Sequence, residues 1–190
     1  MNALIKSDAV KILDSHRTMA ISTLRPDGWP QTTIVGYAND GLDIYFLIFR
    51  SSQKFANILH DDRVSIAVGE EPNDIGEAKA VFAGAHASEM TDPKQREQAW
   101  SLLGQRHPNL ADFELPASSE TGMMRATCKY VSILDYSKGF GHTEAMTLGD
   151  DTAPTMHAPR TDDWGKSAMR QKRDRPEKVE RPSDRKTRGD

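Results

Sequence analysis

Cysteine is all but absent from this chain. Cys128 stands alone among 190 residues, so no intrachain disulfide can form, and a reducing, cytoplasmic compartment is expected. Long apolar runs are lacking as well. The longest nearly uncharged one, residues 44–49, is far too short to span a bilayer, so no membrane partner is expected. Lys6, Asp8 and Lys11 interrupt the N-terminus before the apolar centre of a signal peptide can form. No Gly-rich dinucleotide fingerprint follows a predicted strand, which argues against a Rossmann site. His16, His60 and His107 are scattered without ligand spacing, so no metal site is expected. No internal repeat is evident.

Basic charge is also missing where a nucleic-acid surface would need it. Residues 1–150 carry 14 Lys and Arg against 20 Asp and Glu, a balance of −6. Residues 151–190 carry 11 against 8, a balance of +3. Phosphate contacts need clustered cations, so nucleic acid is not an expected partner of the acidic part. The last forty residues hold almost no large apolar side chains. A domain over residues 1–149 and a disordered, charged tail over 150–190 are the expected organisation.

Within residues 1–149 the pattern alternates short strands with short helices. Ser7 can cap a helix through about Ser15, with Ala9, Val10, Ile12 and Leu13 on one face. Strands are predicted over residues 18–24, 30–37 and 42–49, joined by Pro26-Asp27-Gly28 and Asn39-Asp40-Gly41 turns into an antiparallel meander. The third strand is nearly all apolar, so both of its faces should be covered. Ser52 opens a helix through about His60. Residues 64–68 and 79–90 read as strands, with Gly84 marking a bulge or a close backbone approach. Asp92-Pro93-Lys94-Gln95 starts a third helix, ending near Arg106 because Pro108 follows. Residues 123–136 form the last strand. Crossover helices between parallel strands are missing. The expected fold is mostly antiparallel β, a barrel with short flanking helices (α+β).

The segment from Phe46 to Leu59 carries the clearest chemical signal. A strand ends, Ser51 and Ser52 open a helix, and Lys54 sits on its first turn. Helix starts expose unpaired N–H groups and positive dipole potential. Two hydroxyls, the Lys54 charge and the neighbouring Arg50 would complete a phosphate-sized anion site. A plain Ser cap beside a solvated Lys is the alternative on spacing alone. A second segment, residues 136–143, holds Gly139, Phe140, Gly141 and His142. Its glycines would let backbone approach a ligand, and His142 could donate a hydrogen bond or a proton. A flexible exit from the last strand is the alternative there. His86 and Cys128 read as strand residues, and Trp100 as a core or dimer contact.

Ser52-Gln53-Lys54, Asn57-Ile58-Leu59, Asp62-Arg63-Val64, the Asp27-Gly28 turn before Pro30, and the strand around Val81-Phe82-Ala83-Gly84-Ala85 occur in an order that resembles the pyridoxamine 5'-phosphate oxidase-like superfamily. The resemblance covers roughly residues 5–140. It implies a split β-barrel, a homodimer, and flavin mononucleotide (FMN) at the dimer interface. It places Ser52 and Lys54 in the phosphate-binding segment, with Gln53 and Thr33 at family positions beside the cofactor, while Ser51 and Arg50 join them on the helix-start reading. Gln53 stands where many members have Arg, Thr33 near a position that is Arg in the true oxidases, and Ile48 where Thr or Ser is frequent. These departures weaken the case for oxidase activity on vitamin B6. The resulting expectation is an FMN-dependent oxidoreductase acting on a small molecule, with His142 as its candidate catalytic residue. A non-catalytic flavin sensor or carrier, or a barrel that uses deazaflavin or haem, stands beside it.

Overall fold

The two N-terminal turns form as expected, but they do not build one meander. Strands β1 (Thr18–Leu24) and β2 (Pro30–Gly36) pair along their whole length. Gly28, at φ +86°, lets the turn between them close. The chain then leaves this sheet edge. A short strand β3 (Ala38–Asp40) pairs instead with β4 (Asp43–Phe49) across Gly41, which has φ +59°. The computed structural model describes residues 2–110 and 112–149. The segment 150–190, expected to be disordered, lies outside them.

Strands β5 (Arg63–Gly69), β6 (Lys79–Glu89), β7 (Thr121–Asp135) and β8 (Thr143–Thr147) complete an antiparallel sheet in the order β2-β1-β5-β6-β7-β4-β3. β8 pairs with the C-terminal half of β7, while β4 takes its N-terminal half. The sheet curls into the half-barrel of a split β-barrel, as expected. β4 therefore lies at the far end of the sheet from β2, and the meander expectation is corrected. Tight turns set local pairing, but Tyr37 and Ala38 are buried and carry the chain across to the other end. β8 lies beyond the strand expected to be the last, because the glycines of residues 139–141 separate a short strand from the one before it.

Alternation decides which side chains enter the interior. Met19, Ile21 and Thr23 of β1 and Ile44, Phe46 and Ile48 of β4 all face it. Helix α1 (Asn2–Ser15) buries Ile5, Ala9 and Leu13 at helical spacing against them. It begins at Asn2 rather than near Ser7, because docking of Ile5 recruits an extra turn. Helix α2 (Gln53–His60) follows β4 and also contacts β1, bridging the two ends of the curled sheet. Helix α3 (Pro93–Arg106) packs Ala99 and Leu103 on the other face of β4, against Met123 and Tyr45, so that both faces of β4 are covered. Gly84 sits at a β-bulge, and a Cβ there would lie 2.1 Å from the Tyr130 ring. Both readings of that glycine hold. Among the described residues no helix is long and apolar enough to cross a membrane.

Candidate functional site

The start of α2 is built as a capped helix end. The Ser52 hydroxyl accepts from the Phe55 amide at 3.3 Å and donates to the Phe49 carbonyl at 2.7 Å. That satisfies one orphan amide and leaves others on the first turn available. Ser51 is exposed beside it. Lys54 is half-buried on the first turn, and burial lowers its pKa. Among the described residues it has neither a hydrogen bond nor an ion pair. A partly desolvated ammonium without a counter-charge costs stability unless an anion joins it.

Beneath this turn lies a polar network. Gln53 donates to the Asn57 side-chain oxygen at 2.8 Å. Asn57, fully buried, donates in turn to Thr23 Oγ1 and Gln31 Oε1, each at 3.0 Å. It ties α2 to both strands of the β1–β2 hairpin. Thr33 stands two residues beyond Gln31, paired with the buried Ile21, so it shares that interior face. Its hydroxyl oxygen is buried and has no partner. A buried hydroxyl left unpaired is costly.

Arg50 occupies a different position from a free anion ligand. Its Nε donates to the Ser118 carbonyl at 2.6 Å, its guanidinium pairs with Glu89, and it lies 5.0 Å from the Phe55 ring centre. It staples the segment before β7 to the start of α2. His142 lies elsewhere. It follows the Tyr136–Lys138 turn, with its Nε2 3.4 Å from Glu144, whose carboxyl Lys138 holds below the usual range by a hydrogen bond. Phe140 is stacked against Tyr136 at 4.6 Å. Phe49 pairs with Thr121 at one end of β7, and Leu134 pairs with Thr143 at the other. Thirteen residues of strand separate the two, roughly 40 Å of contour. Arg50, Ser51, Ser52, Gln53 and Lys54 thus follow one another into the start of α2, Thr33 lies on β2, which Asn57 ties to α2 through Gln31, and His142 lies toward the other end of β7.

The fold adds what residue patterns did not reveal. A cavity of about 430 Å³ opens between β4 and α3, lined by Leu47, Trp100, His107, Phe113, Glu114 and Pro116 among others. Its lining includes none of the residues at the start of α2; Leu47 lies on β4 before Arg50, and Pro116 lies before Ser118, whose carbonyl Arg50 holds. Trp100, expected as a core or dimer contact, packs partly buried against the Leu103–Met123 cluster and also borders this void, which nothing local announced. Among the described residues no group of three His, Cys, Asp or Glu is placed to hold a metal. Burial pushes the Cys128 thiol up to about 12, far from reactivity.

Comparison with known proteins follows the same outline. The family model for pyridoxamine 5'-phosphate oxidase matches residues 5–135. The chain is similar to General stress protein 26 of Bacillus subtilis (strain 168), with 26% identity over 117 residues, 58% of this chain and 82% of that protein. Among solved structures it resembles a heme binding protein from Mycobacterium smegmatis (TM-score 0.65, 18% identity, 75% of this chain). It spans only 57% of that structure's length. It also resembles a FAD-binding protein from Mesorhizobium loti (TM-score 0.54, 23% identity, 67% of this chain and 91% of that one). At these identities the structural likeness is one of fold.

Proposed function

The chain belongs to the pyridoxamine 5'-phosphate oxidase family, and from that premise we propose that it binds FMN and serves as a small-molecule oxidoreductase. One observation carries the proposal: Lys54, half-buried and without a counter-charge, sits on the first turn of a Ser-capped helix. The residues present fit a flavin phosphate. Lys54 supplies the charge, the first-turn amides and Ser51 supply donors, and the orphan hydroxyl of Thr33 supplies a further polar contact. When bound, the flavin supplies the redox chemistry, and the chain's residues bind, orient and exclude water. Arg50 positions the helix start, since its bonds to Ser118 and Glu89 tie the chain just before α2 to the segment before β7 and to β6.

A homodimer belongs to the same proposal. Trp29, Ile34 and Phe82 are 72%, 69% and 41% exposed. Strand register sets Ile34, Ala20, Ala67 and Phe82 in one row across β2, β1, β5 and β6 on the outer face. Such an apolar row on a sheet face suits a second copy. A second copy is also the route by which the segment around His142 can reach a site distant within one chain.

The Mycobacterium smegmatis relative, a heme binding protein, raises haem as the competing group. His107 is the one imidazole among the cavity-lining residues, and its Nε2 lies 3.1 Å from the Tyr37 carbonyl. A haem iron would have to take Nδ1 or break that bond, which favours the flavin. The absorption spectrum of the purified full chain, followed by titration with FMN and with haemin, is the test. Saturable FMN binding with quenched flavin fluorescence is expected. Tight haemin binding with no FMN binding overturns the proposal.

A further inference from the structure

We infer that Arg96 is the cationic half of a site for a small carboxylate, covered by the segment before β7. The site is separate from the start of α2 and does not rest on the flavin reading.

Arg96 is the one buried arginine among the described residues, at 5% exposure. A guanidinium does not lose its proton inside a protein, so this charge is permanent. Arg25, Arg50, Arg63 and Arg106 each pair with a carboxylate. Arg96 has no such partner among the described residues. Its Nη2 donates to the Pro116 carbonyl at 3.5 Å, the long limit of a hydrogen bond, and its Nη1 is buried with no partner. Acids close to it in the chain do not serve it. Asp92 accepts from the Gln95 amide at 2.9 Å, and Glu97 is exposed. A cation buried without a counter-charge is costly, and an anion that joins it removes the cost.

A second buried donor competes for the same carbonyl. Thr121, 1% exposed, directs Oγ1 to the Pro116 carbonyl at 3.5 Å and to the Ala117 carbonyl at 3.2 Å. Three donor atoms of two buried side chains therefore have two carbonyls between them and only long contacts. An excess of buried donors calls for an acceptor-rich ligand. A planar carboxylate matches two guanidinium nitrogens side by side, and its single charge balances the single charge of Arg96. A dianion would leave one negative charge unmet, because the neighbouring cation, Arg50, lies across the sheet and holds Glu89. Alternation along β7 sets Thr121 with Met123 on the α3 side, and Gly122 with Met124 on the side of Phe55 and Arg50. Entry is through the cover. No described residue from 112 to 120 is buried, so this stretch can lift from Arg96 and let the carboxylate replace the Pro116 carbonyl, while Arg50 keeps hold of Ser118.

The test uses the full chain carrying Lys54→Met, which removes the free cation at α2, with chloride holding ionic strength constant. Acetate, acetamide and sulfate are the probes, read by the Arg96 Nε–H signal in NMR, assigned with Arg96→Met, and by thermal melts. Acetate should shift the Arg96 signal saturably and raise the melting temperature. Acetamide has the same shape without the charge and should do neither. Sulfate should bind about tenfold more weakly than acetate, because its second charge is buried unmet. Thr121→Val should weaken acetate roughly three- to tenfold by removing one donor. Arg96→Met keeps an apolar stem, so it should melt no lower than its parent without acetate and should lose the acetate response. No saturable shift at Arg96, an acetamide response equal to that of acetate, sulfate binding as tight as acetate, or an acetate response that survives Arg96→Met overturns the inference. Should Arg96→Met fail to fold, the Arg96 signal with the three probes and the Thr121→Val comparison decide it.

Discussion

Replacing Lys54 with Met tests the phosphate contact, because the side chain keeps an unbranched apolar stem and loses the ammonium with its charge and donors. A charge-assisted hydrogen bond contributes about 1.5–3 kcal/mol, which spans roughly 10- to 100-fold in a dissociation constant. Lys54 is half-buried rather than enclosed, so solvent competes for part of that. The lower portion of the range, about 10- to 30-fold, is the expected loss of FMN affinity. Riboflavin has no phosphate, and its affinity should not change. Folding should respond in the opposite sense. Burial lowers the folded-state pKa of Lys54, so the unfolded chain binds that proton more strongly. The cost to stability is present at neutral pH and is relieved as pH rises from the lowered folded value to the ordinary lysine range. Lys54→Met should be as stable as the parent or slightly more so at neutral pH, with a smaller gain on going alkaline. Fluorescence titration with both flavins and thermal melts across pH read all of this. If FMN and riboflavin weaken together, or neither weakens, Lys54 does not hold the phosphate.

Thr33→Val should leave the ligand-free protein unchanged or stabilise it by up to about 1 kcal/mol, since it removes an orphan hydroxyl, yet weaken FMN binding. A loss of thermal stability with FMN affinity intact would contradict the role given to that oxygen. Asn57→Ala should destabilise by about 2 kcal/mol in urea unfolding, because Thr23, Gln31 and Gln53 lose a fully buried partner together. Gly84→Ala should cost about 1–3 kcal/mol by driving the new methyl into the Tyr130 ring. Adding Tyr130→Ala should return most of that loss in a double-mutant cycle. Cys128 should resist thiol reagents at pH 8 in the folded protein and react once it is unfolded, since burial holds its pKa near 12.

Local pattern carried a long way in this chain. The hairpin at Gly28, the bulge at Gly84, the Asp92 cap of α3 and the Ser52 cap of α2 each rest on a few adjacent residues, and each forms where those residues predict. The capped helix start proposed to hold the phosphate was legible for the same reason, since a cap needs only its own first turn. Asn57 was visible as a motif residue, but its partners Thr23 and Gln31 lie on strands far away in the chain.

Sequence alone thus determined most of the longer strands and helices, their caps and turns, and the acidic body, because propensity, capping and charge are properties of neighbouring residues. Tertiary structure decided the rest. It moved β4 away from β2, committed Arg50 to Ser118 and Glu89, placed His142 at the other end of β7, and opened a cavity beside Trp100. These follow from how a curled sheet closes on its helices. Pairing across that distance is settled by which faces bury together, a sum over the whole chain that no window of adjacent residues contains.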